Sequence, residues 1–91
     1  MFYVVSYDIA ADDRRNRVHA TLKDYGTPVQ YSVFECDVDA KQLAELQTRL
    51  LRVIHLKEDN VRYYRLCKDC LAQTTVAGER PLTRDPDHWI V

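Results

Sequence analysis

Only two glycines occur in 91 residues, which excludes a fibrous, glycine-periodic chain; the large apolar share likewise excludes a disordered one. Long hydrophobic runs are also missing. No stretch reaches the roughly 18–20 apolar residues that cross a bilayer, and no signal-peptide pattern opens the chain, so no membrane partner is expected and the expected location is the cytoplasm. An excess of positive charge is absent: 13 Lys and Arg against 14 Asp and Glu leave a net charge of −1. Contact with nucleic acid must then come from local basic clusters, or from clusters joined when chains associate. The three cysteines are odd in number and do not fit a disulfide framework. A chain of 91 residues makes one domain with a modest core, and such chains often gain stability by associating.

What is present is alternation and periodicity. Residues 2–10, FYVVSYDIA, read as a strand with Phe2, Val4, Ser6 and Asp8 on one face and Tyr3, Val5, Tyr7 and Ile9 on the other. Asp12 or Asp13 is expected to cap a helix running to about Tyr25, with Gly26 as its stop and Val18, Leu22 and Tyr25 as its buried stripe. Residues 29–37, VQYSVFECD, alternate again and are long enough to break into two short strands. Asp39 and Gln42 have capping-box spacing ahead of a second helix with Leu43, Leu46, Leu50 and Val53 or Ile54 on its apolar face. Residues 60–67 read as a strand, and a further strand is expected over 71–77.

This order predicts an α+β, ferredoxin-like βαββαβ domain over 1–78, with an additional C-terminal strand and both helices on one sheet face. The second face carries Phe2 and Val4, too apolar to leave in water, so a homodimer packed sheet to sheet is expected. The tail, 79–91, is expected to pack on the dimer partner or on another protein.

Two clusters could carry chemistry. Asp8 ends a strand, where a carboxylate either accepts turn amides or ligates a cation. One carboxylate is a poor Mg²⁺ site, but a two-fold axis near the second face would bring two Asp8 side chains to one ion for phosphodiester hydrolysis. Arg14, Arg15 and Arg17 suit bidentate contact with phosphate, or else form a solvated helix face paired with Asp12, Asp13 and Asp24. Ser6, Gln30 and Ser32 could join Asp8 in a polar pocket, and Phe34 could stack on a base or serve the core. Arg49, Arg52, His55 and Lys57 line the end of the second helix, where cations complement the dipole and could add phosphate contacts. Cys67-Lys68-Asp69-Cys70 is half a zinc spacing, and neither Cys36 nor His19, His55 or His88 completes it at matching spacing. A redox role is not expected of this pair, because it does not read as opening a helix after a strand.

Three segments in order carry a resemblance: Val5-Ser6-Tyr7-Asp8-Ile9 ahead of Arg15-Asn16-Arg17-Val18, the run Val29-Gln30-Tyr31-Ser32-Val33-Phe34-Glu35-Cys36, and Val61-Arg62-Tyr63-Tyr64-Arg65-Leu66. To about Leu66 the chain resembles the small CRISPR-associated ferredoxin-like endonuclease family that partners the CRISPR integrase in spacer acquisition. The resemblance implies a homodimer in which Asp8 and its symmetry mate hold Mg²⁺ (or Mn²⁺), with supporting roles for Tyr7, Arg15, Arg17 and Phe34. It implies cleavage of RNA or double-stranded DNA. Pro28 stands where some nuclease-type relatives carry a basic residue, which removes one phosphate contact. The alternatives are a DNA-binding scaffold without catalysis, and a stand-alone toxin-type endoribonuclease.

Overall fold

The computed structural model describes residues 1–78, and the expectations for the 79–91 tail lie outside the described residues. Seven aromatic, β-branched and polar residues form β1 (Phe2–Asp8), followed by α1 (Asp12–Lys23), β2 (Thr27–Gln30), β3 (Val33–Asp37), α2 (Ala40–Leu51), β4 (Asn60–Leu66) and α3 (Lys68–Ala72). The strands pair antiparallel in the order β2-β3-β1-β4. With β1 central and a helix after β1 and after β3, this is the expected ferredoxin-like βαββαβ arrangement.

Alternation along β1 decides where the core sits. Tyr3, Val5 and Tyr7 project to one side and are buried with Val18 and Leu22 of α1, Phe34 and Cys36 of β3, and Leu46 and Leu50 of α2. The capping box of α2 is present: Gln42 N donates to Asp39 Oδ1 at 2.7 Å, and Asp39 N donates to Gln42 Oε1 at 2.9 Å. At α1 the expected cap is corrected. Ala11 is the N-cap without a side-chain bond, and Asp12 and Asp13 occupy the first turn, where they complement the helix dipole. Gly26 closes α1 with its N–H on the Leu22 carbonyl at 3.0 Å. A Cβ there would collide with the Glu35 carbonyl and lie 2.5 Å from Cys36 Sγ, so close backbone approach requires the glycine.

The run 29–37 does break in two. Tyr31 and Ser32 make the turn, with Ser32 at φ +63° in the left-handed region. An irregularity between Pro28 and Gln30 brings Gln30 opposite Val33. That produces a row across the whole sheet: Gln30, Val33, Ser6, Arg62.

Two expectations change at the end of β4. The strand expected over 71–77 is not formed: residues 68–72 are helical as α3, and none of 73–78 is in a strand. Leu71 is the reason, because α3 turns it onto Phe2, and these two bury each other with Val4 and Leu66 packed alongside. The second sheet face is therefore not bare at its Phe2 end. Toward Asp8 it stays open, with Ser6, Arg62 and Tyr64 on it.

Candidate functional site

Asp8 closes β1 on the open face, opposite Asn60, the first residue of β4. Its side chain is exposed, and among the described residues its carboxylate takes no hydrogen bond or ion pair. The turn-amide alternative is thereby removed. Arg62, two residues along β4, shares this face in register with Ser6, and is therefore a diagonal neighbour of Asp8. Its Nε donates to Asn60 Oδ1 at 3.3 Å. Arg62 was not singled out from sequence, although period-two alternation in 60–66 signalled its face.

Tyr7 is adjacent to Asp8 in the strand and so points the other way. Its hydroxyl is hydrogen-bonded with His19 Nδ1 of α1 at 3.2 Å, and its ring lies 6.3 Å from that of Phe34. Burial pushes the Tyr7 hydroxyl up in pKa, a shift eased by a hydrogen bond with the Ser32 side chain and by the Arg15 charge. The expected polar pocket is thus divided by the sheet. Ser6 and Gln30 stay on the row beside Asp8, whereas Ser32, whose carbonyl accepts Tyr7 N–H at 3.0 Å, belongs with Tyr7 and His19. The turn at 31–32 breaks the strand alternation that had put Gln30 and Ser32 on one face.

Phe34 is 0% exposed, edge-on to His19 at 5.1 Å between ring centres. No base can reach its face, so its place is the core.

The three helix arginines have separate fates. Arg14 is held by Asp59, whose side chain is 0% exposed, through Nε to Oδ2 at 2.8 Å and Nη2 to Oδ1 at 3.3 Å. The same carboxylate accepts Ala10 N at 3.0 Å and His55 N at 2.8 Å. Four donors hold the Asp59 carboxyl well below the usual range, with the Arg14 hydrogen bond the largest cause. Arg14 therefore fixes the β1–α1 loop against the start of β4 and is not available to phosphate. Arg15 folds over the same loop, donating to the Ile9 carbonyl at 3.3 Å and pairing with Asp12, which leaves part of its guanidinium fork unused. Arg17 is exposed and lines a cleft of about 410 Å³ between α1 and α2 together with Arg49 and Arg52. Arg49 is paired with Asp24 at 3.0 Å and sits over the Tyr25 ring; the guanidinium groups of Arg17 and Arg52 have no carboxylate partner among the described residues.

As a metal centre, this face of one chain offers the Asp8 carboxylate. Asp8 supplies hard, uncommitted oxygen donors suited to Mg²⁺, but no group of three or more His, Cys, Asp or Glu side chains is clustered for a metal ion among the described residues. Among these residues no helix is long and apolar enough to cross a membrane.

Residues 1–74 match the family model described as CRISPR associated protein Cas2. The chain is 44% identical over 89 residues to the CRISPR-associated endoribonuclease Cas2 3 of Synechocystis sp., covering 98% of this chain and 97% of that protein. Its structure is similar to that of Streptococcus pyogenes Cas2, with a TM-score of 0.74 and 32% identity over 86% of this chain and 100% of the other. It is also similar to a chain of a partial Cas6-RT-Cas1–Cas2 complex, with a TM-score of 0.71 and 28% identity over 80% of each chain.

Proposed function

The chain belongs to the CRISPR-associated Cas2 family, and from that membership we propose that it is a homodimeric, Mg²⁺-dependent endonuclease that works with the CRISPR integrase in acquiring spacers in the cytoplasm. The observation that carries this reading is the exposed Asp8 carboxylate at the end of the central strand, which has no partner among the described residues. Relatives named as endoribonucleases, and the likeness to a chain of a Cas1–Cas2 complex, support it.

Asp8 from each of two chains would hold one Mg²⁺ (or Mn²⁺), which when bound supplies charge stabilisation at a phosphate and a more acidic water. The rest falls to the chain's own residues. Arg62 stands diagonal to Asp8 on β4, and Arg15 reaches from α1 to the carbonyl of the next residue, Ile9; their guanidinium donors match phosphate oxygens of RNA or double-stranded DNA. Arg17 and Arg52 offer separate backbone contacts on the helix layer, across the sheet from Asp8, which bind the polymer without reading bases. Tyr7 acts from behind the sheet, fixing the strand end through His19 and Ser32.

A specific observation favours a second reading. The described residues of one chain gather no group of three metal-ligating side chains, and their cationic cleft lies on the helix layer, opposite the face that bears Asp8. Both facts suit a dimer that bridges integrase subunits along DNA without cutting. Asp8→Asn separates the two: the nuclease reading expects loss of cleavage of RNA and duplex DNA with the dimer intact by light scattering. Undiminished cleavage by that variant would sink it. Spacer acquisition that survives the substitution would make the scaffold the biological role.

A further inference from the structure

Cys67-Lys68-Asp69-Cys70 does open a helix after a strand, contrary to the sequence expectation. Cys67 directly follows β4 and is the N-cap of α3, and Cys70 lies in its first turn. Both thiols are free and exposed, and the two Sγ atoms are 3.3 Å apart. Cys67 also borders a crevice of about 240 Å³ lined by Arg65, Lys68, Phe2 and Leu71. A sulfur contact this short leaves roughly 1.3 Å to close to a disulfide, and the two cations of the crevice suit an anionic thiol reagent.

From this geometry we propose that Cys67 and Cys70 are a reversible dithiol–disulfide pair, oxidised by a carboxylate-bearing low-molecular-weight disulfide that docks in the crevice, and that the bridge fixes α3 over Phe2. The Cys67 thiol is pushed down in pKa by the Cys70 amide and thiol hydrogen bonds, and Cys70 is pushed up by Cys67, which makes Cys67 the attacking thiolate. Its sulfur attacks the reagent disulfide, forming a mixed disulfide and releasing one thiolate. Cys70 then loses its proton and attacks Cys67 Sγ, expelling the second thiolate. The protein dithiol is oxidised by two electrons and the reagent is reduced to two thiols. A zinc site would need four ligands, and no cluster of three is present among the described residues; a disulfide needs only the two thiols in contact.

The test uses the full chain and oxidised glutathione. The three cysteines should fall to one alkylatable thiol in denaturant, namely Cys36, with an intact mass two hydrogens lighter and a monomeric band on a non-reducing gel. Cys70→Ser should stop at a stable glutathione adduct on Cys67, and Arg65→Ala with Lys68→Ala should slow the reaction. Three remaining thiols, a persistent adduct in the wild-type chain, a disulfide-linked pair of chains, or zinc released on thiol modification would each overturn the proposal. Amide exchange of residues 68–72 should slow in the oxidised chain; unchanged exchange would overturn the link to α3.

Discussion

Arg14 and Asp59 stand 45 residues apart in the chain and meet in a two-point ion pair, with Nε to Oδ2 at 2.8 Å. The pair joins the first turn of α1 to the residue before β4, and the two backbone N–H groups that share the carboxylate belong to the loops on either side. Because the folded-state pKa of Asp59 is depressed, its contribution is fully present above the unfolded carboxylate value of about 3.9 and is lost as pH falls through the folded value. Denaturant midpoints should therefore be flat above about pH 5 and fall below about pH 4. Asp59→Asn should remove part of that acid-side slope and lower Tm more than Asp24→Asn, whose ion pair is exposed. Equal effects of the two substitutions would contradict this role.

Chelator should abolish cleavage, and added Mg²⁺ or Mn²⁺ should restore it. Cleavage that persists in excess EDTA would argue against the shared Asp8 site.

Arg17→Glu and Arg52→Glu should each weaken duplex binding whatever its sequence. Each should lower the slope of log affinity against log salt by about 1, the value for one lost phosphate contact. A slope unchanged in both variants would return the α1–α2 cleft to a solvated surface.

Phe34→Ala should cost about 3–5 kcal/mol of stability, the usual range for emptying a buried aromatic site. Nucleic-acid affinity per folded molecule should stay unchanged, because the ring is buried. Weakened binding by a fully folded variant would restore a stacking role.

Gly26→Ala should destabilise by about 1–3 kcal/mol, as overpacking does, because the added methyl meets the Glu35 backbone. Urea unfolding measures it, and a neutral result would show that β3 can shift away.

Much of this was legible because it is local. Alternation placed Tyr3, Val5 and Tyr7 under the helices, and the spacing of Asp39 and Gln42 marked the start of α2. That same alternation put Tyr7 and Asp8 on opposite faces, although family resemblance grouped them as one site. What stayed hidden depends on distant partners. No local pattern pairs Arg14 with Asp59, and the five residues of α3 are too few for a helical period beside the β-branched run Thr74-Thr75-Val76. Leu71 settles that segment by finding Phe2, near the other end of the described chain.

The two borders of the sheet are unequal. β2 has four residues, an irregular register and Pro28, which lacks a donor; β4 has seven residues in unbroken register with β1. Among the described residues only β4 offers a continuous ladder to another strand. A molecule that is sticky along one border alone can pair with a copy of itself once, and then nothing is left to extend. Within the described residues, strand addition is therefore open at the β4 border and obstructed at the β2 border.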